Sequence, residues 1–215
     1  VPVPPGFVVD QSGVNTGPSP EFVWLLKNLL KILGNNFGYK SIKKKTTKEF
    51  EKNIRPATAT AKTIGSIFRD TRFTGNIASF AFAVPTEDLP KTIDHILDEI
   101  AVNAFAGAVA VRFVKGTKAT LGFTHFEHTC VVEMDGIDMP SNHKIFANVI
   151  DRLSNNGIPC TIHWGKLNDP LNAERVIAMY GREKLKSWMK SREALLLPET
   201  RSVFTNDFMK KCGLD

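Results

Sequence analysis

The chain has 215 residues, 42% hydrophobic and 23% charged, with 15 glycines and 12 prolines. That balance supports one domain with a real core, or a domain with an appended part, and excludes a fibrous or disordered polymer. The formal net charge is +6, from 28 Lys and Arg against 22 Asp and Glu, and no apolar run is long enough to span a membrane. Val1-Pro2-Val3-Pro4-Pro5-Gly6 has neither the basic start nor the apolar centre of a secretory signal. Cys130, Cys160 and Cys212 are odd in number and form no CxxC pair, which argues against a disulfide framework or a zinc site and is compatible with reduced thiols in a cytoplasm, the location itself staying open.

Residues 1–18 show no sustained period and read as an extended arm. Ser19-Pro20-Glu21 supplies a capping hydroxyl, a first-turn proline and an acid at the positive end of the dipole, so a helix is expected from Glu21 to about Leu33. Apolar residues surround most of that helix, from Phe22 to Leu33, and such a helix is buried or packs on a partner. Lys40, Lys43, Lys44, Lys45, Lys48, Lys52 and Arg55 concentrate the positive charge. They lack the aromatic interleaving of a single-strand binder, so a solvated face is the better reading and nucleic acid is disfavoured.

The pattern sharpens after Thr74. Ser79 to Val84 alternates, with Phe80, Phe82 and Val84 on one side and Ser79, Ala81 and Ala83 on the other. Thr86, Glu87 and Asp88 open a helix with Leu89, Ile93, Ile96, Leu97 and Ile100 on one stripe and Pro90 in its first turn. A second strand, Ala108 to Val114, sets Val109, Val111 and Phe113 against Ala108, Ala110, Arg112 and Val114. A third runs from about Phe126 to Met134, with Glu127, Thr129, Val131 and Glu133 on one face and Asp135-Gly136 as its stop. Ser141 is expected to cap a helix that turns Ile145, Phe146, Val149, Ile150 and Leu153 inward and closes at Asn156-Gly157. Ile158 to Lys166 reads as the fourth strand, ending near Gly165.

Strand, helix, strand, strand, helix, strand is the split βαβ order, so the expected fold class is α+β: a ferredoxin-like antiparallel sheet with helices on one face, an N-terminal helical extension and C-terminal helices. The expected segments are residues 1–74 for the arm and extension, 75–166 for the split βαβ domain and 167–215 for the C-terminal helices. There, Asn168-Asp169-Pro170 signals a helix start, Leu185, Trp188 and Met189 read as packing residues, and a short final helix follows a turn. On the sheet face without helices, Ala81, Ala83, Ala108 and Ala110 leave room beside Arg112, Thr129, Glu133, Thr161 and His163. His163 and Lys166 add an imidazole that titrates near neutrality and a flexible ammonium able to meet developing negative charge.

His163-Trp164-Gly165-Lys166, the strand with Val111-Arg112-Phe113, and the tail Val203-Phe204-Thr205-Asn206-Asp207-Phe208 resemble the C-terminal part of vanillyl-alcohol-oxidase-type flavoproteins. Within that group the motifs are most similar to aldonolactone and alditol oxidases and to flavin-linked cholesterol oxidases. The resemblance implies a substrate, or cap, domain from about Ser79 onward, lying over an FAD held mainly by a separate domain that nothing in this chain matches. It implies catalytic roles for Lys166 and His163, substrate contacts from Arg112, Glu133, Thr129 and Thr161, and cofactor contacts from Lys166 and Asn206. The expected activity is oxidation of a small-molecule alcohol CH–OH group by an FAD-dependent oxidoreductase, with a flavin-binding domain or chain as partner and an isolated chain that is inactive. Ala110 departs from the pattern, since members carry a glutamate two residues before the arginine; this points away from polyol and lactone substrates, and the apolar N-terminal helix points to a bulkier or less polar one. The competing expectation is a non-catalytic module whose open sheet face and apolar helix bind a ligand or a protein.

Overall fold

The computed structural model describes residues 77–103, 105 and 107–215. The arm, the apolar helix of residues 21–33 and the lysine cluster lie outside the described residues. In chain order the elements are β1 (Ile77–Pro85), a 3-10 turn (Thr86–Asp88), α1 (Leu89–Val102), β2 (Gly107–Lys115), β3 (His128–Ile137), α2 (Pro140–Asn155), β4 (Thr161–Ile162), α3 (Ala173–Tyr180), α4 (Arg182–Leu195), α5 (Pro198–Arg201), a second 3-10 turn (Ser202–Phe204) and α6 (Asp207–Lys211). The sheet order is β2-β3-β1-β4, with β2 antiparallel to β3 and β4 antiparallel to β1. This is the split βαβ arrangement of an α+β fold.

The period of two explains where the core sits. Phe80, Phe82 and Val84 of β1 and Cys130, Val132 and Met134 of β3 are each 0% exposed, and they form one cluster with Ile96 of α1 and with Ile145, Phe146, Val149, Ile150 and Leu153 of α2. Phe80 and Phe146 stack with centroids 4.9 Å apart. Leu171, Val176, Tyr180, Cys212 and Leu214 belong to the same cluster, so residues 167–215 share the sheet's core. Leu97, expected on the inward stripe of α1, is 52% exposed. The buried stripe of that helix instead runs Thr92, Ile96, Glu99. Glu99 accepts from Asn103 at 2.7 Å, from Asn148 at 2.7 Å and from Arg152 at 2.9 Å, which satisfies a buried carboxylate and ties α1 to α2.

Several boundaries differ from expectation, most of all that of β4: the strand expected over Ile158 to Lys166 is confined to Thr161–Ile162. β3 continues through Asp135 and Gly136 to Ile137, because β2 pairs with it as far as Gly107 opposite Gly136. A side chain at Gly107 would meet the Asp135 carbonyl oxygen at 2.3 Å, so the strands close there only around a glycine. Ser141 caps nothing: α2 begins at Pro140 after an extended Met139. α3 starts at Ala173, its Asn172 side chain accepting from the Arg175 amide at 2.8 Å. Gly181, at φ +79°, then turns the chain into α4 in a conformation that L side chains rarely adopt.

Near the start of α2, His143 presents Nδ1 to Asp169 at 2.7 Å and Nε2 to Asp138 at 2.8 Å. Both ring nitrogens facing carboxylates favour the imidazolium, and the bonds to Asp138 and Asp169 hold the His143 pKa above its ordinary 6.5 against the opposing effect of burial. The group binds its proton more tightly folded than unfolded. Its contribution to stability is therefore complete below pH 6.5 and is lost as pH rises through the higher folded value. Thermal denaturation across this range is expected to show a midpoint falling with pH, and His143→Gln is expected to flatten that segment of the profile. Phe146→Ala, which empties the stacked position against Phe80, is expected to cost about 3–5 kcal/mol in urea denaturation.

Candidate functional site

The face away from the helices holds the expected polar residues, but it is not bare. The β2–β3 connection, residues 116–127, folds over its β1/β4 part, with Phe123 and Phe126 packed on Ala81, Ala83 and Val131. Its main chain takes the hydroxyls expected to contact substrate. Thr161 Oγ1 donates to the Phe123 carbonyl at 2.5 Å and Thr129 Oγ1 to the Phe126 carbonyl at 2.6 Å, and both residues are 0% exposed. Thr129 and Thr161 therefore anchor the loop and offer nothing to a ligand. Asn206, expected to contact the cofactor, accepts from the Met209 amide at 2.9 Å through its side-chain oxygen and caps α6.

Arg112, Glu133 and Lys166 are brought together. Arg112 pairs in register with Val131, so its side chain rises beside Glu133 on the face away from the helices. Glu133, with a side chain only 10% exposed, receives Arg112 Nη1 at Oε2 and Lys166 Nζ at Oε1, the latter at 2.8 Å. Burial alone would push the Glu133 pKa up; the hydrogen bond and charge of Lys166 and the charge of Arg112 together outweigh it and hold the carboxyl below its ordinary value. Asp135, two residues on, accepts from Ser79 Oγ at 2.5 Å and lies 3.9 Å from Lys166 Nζ. Ser79 and Asp135 complete the cluster. Alternation already put Ser79 on this side, but reading Asp135-Gly136 as a strand stop hid Asp135.

Lys166 reaches this face through an irregularity. His163 N donates to the Ala81 carbonyl at 2.9 Å and Leu167 N to the Ser79 carbonyl at 3.0 Å, so the chain after β4 uses four residues where β1 uses two. A regular strand would have sent Lys166 to the helix side with Ile162. The turn at Trp164 and Gly165 takes the chain out of strand geometry and leaves Lys166 on the Glu133 side. Trp164 stays on the helix side, stacked on Tyr180 with centroids 5.8 Å apart and donating Nε1–H to the Leu121 carbonyl at 2.9 Å, and so pins the covering loop.

His163 sits edge-on to Phe123, ring centroids 4.7 Å apart, and its Nδ1 accepts from the Gly165 amide at 3.0 Å. An acceptor at Nδ1 leaves the proton of the neutral ring on Nε2, so the imidazole offers an N–H donor. Burial, and next the charge of Lys166, lower its pKa from 6.5 and keep it neutral at neutral pH, although the charge of Glu133 and a hydrogen bond to the residue's own backbone act the other way. Cys130 and Cys160 are free thiols of the sheet region. Burial raises both thiols, Cys160 to about 11.

The part of the face left open is thus floored by the exposed Ala108 and Ala110 and walled by Arg112, Glu133, Asp135, Ser79 and Lys166. Because the folded Glu133 binds its proton less tightly than the unfolded one, its ion pairs contribute fully above pH 4.5 and are lost as pH falls through the lower folded value. Acid titration monitored by near-ultraviolet circular dichroism is expected to show this loss, with Lys166→Met moving its midpoint upward toward the ordinary carboxyl value.

No family model matches the chain, and no curated protein matches its sequence. Among solved structures, a PII-like signaling protein from Thermus thermophilus is similar over 41% of this chain and 86% of its own, at 5% identity and a TM-score of 0.27, a likeness that carries no functional argument.

Proposed function

We propose that residues 77–215 form the substrate-binding, or cap, portion of an FAD-dependent oxidoreductase that oxidises an alcohol CH–OH group, the flavin being held mainly by a separate domain or chain. The observation that carries this reading is Glu133, nine-tenths buried on the face away from the helices and clasped by Arg112 and Lys166 beside a flat alanine floor. A planar ring fits such a floor, and the Lys166 ammonium suits the electron-rich edge of one. When bound, the flavin would supply the hydride acceptor.

The chain's own residues would do the rest. Arg112 and Lys166 set positive charge beside the substrate oxygen as its proton leaves, while Glu133 holds both cations in place. His163, neutral and carrying its proton on Nε2, donates a hydrogen bond and does not act as the base. The Asp135 carboxylate accepts one hydrogen bond from Ser79 and would take the hydroxyl proton. Ala110 removes a carboxylate that a polyol would call on, so the substrate of this reading is a less polar alcohol.

A second reading, a non-catalytic protein-binding module, is favoured by one feature: all nine residues of the edge strand β2 are exposed, Phe113 at 66%. The two separate on kinetics. In protein carrying its flavin-holding part, Lys166→Ala is expected to slow flavin reduction by the alcohol about 10²-fold. The exposed Lys184, which faces His125, serves as the control and its alanine variant is expected to leave the rate unchanged. Undiminished reduction in Lys166→Ala, or a full-length protein that holds no flavin, removes the oxidase reading.

A further inference from the structure

Two grooves run along α4 and meet at Met189 and Glu193. Ile177, Leu185 and Met189 give the first an apolar lining, with Arg182, Lys186 and Lys190 beside them. The second is lined by Arg192, Arg201 and Lys210, with the hydroxyls of Ser202 and Thr205. Six cations, three from each groove, stand against two carboxylates, Glu193 and Asp215. Lys186 reaches Glu183 at 3.0 Å and Lys210 reaches Asp207 at 3.8 Å, both pairs within one helix and largely in water. Among the described residues, Arg182, Lys190, Arg192 and Arg201 have no carboxylate within ion-pair distance.

Arg192 is the anomaly. It is 8% exposed, and a guanidinium so far out of water ordinarily has an anionic partner. Its Nη2 donates to Thr205 Oγ1 at 2.5 Å and to the Arg201 carbonyl at 3.4 Å, both neutral acceptors. Nε and Nη1 have no acceptor among the described residues and are not sealed from solvent, so they stay open to an anion from outside. Met189, for its part, is not packed on the main core as Leu185 and Trp188 are; it lines both grooves.

We propose that this track binds an anionic amphiphile, a single apolar chain ending in a carboxylate or phosphate. The head sits on Arg192, Arg201 and Lys210, where two guanidinium forks and an ammonium match an oxyanion. The chain lies along Met189, Leu185 and Ile177, and the long stems of Lys186 and Lys190 flank it with their charges in water. A free phosphate would leave the apolar lining unused, and an uncharged chain would leave Arg192 without its counter-ion. None of Arg112, Glu133, His163 or Lys166 takes part, so the site stands apart from the oxidase reading.

The test is calorimetric titration of the full chain with decanoate and with decyl phosphate, each below its micelle concentration, with decanol and inorganic phosphate as the headless and tailless controls. Saturable one-to-one binding of at least one amphiphile is expected, with either control weaker by about tenfold or more. The head that binds tighter identifies the carboxylate or the phosphate class. Lys190→Ala/Lys210→Ala changes two exposed side chains that the fold does not need, and is expected to weaken the preferred amphiphile about fivefold. Met189→Ser is expected to weaken the amphiphile and leave inorganic phosphate unaffected. Equal affinity for decanol, unchanged binding in the double variant, or attachment to phosphatidylglycerol vesicles without binding of the monomeric amphiphiles would each overturn the proposal, the last in favour of a membrane surface.

Discussion

Every second side chain of β1 and β3 is buried beneath two helices, and that constraint positions everything else. Val132 and Met134 are wholly buried, so Glu133 between them must emerge on the opposite face. A slip of one residue would drive a carboxylate under Phe146 and bring two apolar side chains into the open, which is why the register holds. The same parity, passed across the β2–β3 ladder, sets Arg112 and Ala110 beside Glu133. The candidate site is therefore a by-product of the core's alternation, and its rigidity is that of the core.

Charge is handled differently in three places. Glu99, 3% exposed, is bonded by Arg152 and two amides and works as a joint between α1 and α2. Glu133 is similarly buried but is met by two cations, Arg112 at 61% and Lys166 at 23% side-chain exposure, where Glu99 has one, Arg152 at 38%. Cations held in place by a buried acid and still open to water can meet a ligand without reorganising, which is what a preorganised binding face requires. Arg192 inverts the pattern, a buried cation without a buried acid. Structural, site-forming and uncompensated charge are distinguished here by the number and kind of partners, while the residue types are the same.

The covering loop decides how large the open face is. Phe123 and Phe126 close the half nearest β4, with Thr129 and Thr161 spent on its carbonyls and Trp164 fixing it through Leu121. What stays open lies over β2 and β3, where Ala108 and Ala110 keep the surface flat. His163 stands beside the covered half, held by Phe123 and by the Gly165 amide in the tautomer that donates from Nε2.

Alternation and helical spacing by themselves determined the α+β class, the strand and helix order, the inward residues of α2, and the shared face of Arg112, Glu133 and His163, because local periodicity is a property of neighbouring residues alone. Other features depended on contacts between distant parts of the chain, which no local pattern encodes. The β3 extension to Asp135 came from pairing with β2, and the burial of Glu99 came from donors on α2. The roof over Thr129 and Thr161 came from a loop that reads as a plain connection. Lys166 is the clearest case: parity would have turned it toward the helices, and only the turn at Trp164 and Gly165 brought it to Glu133.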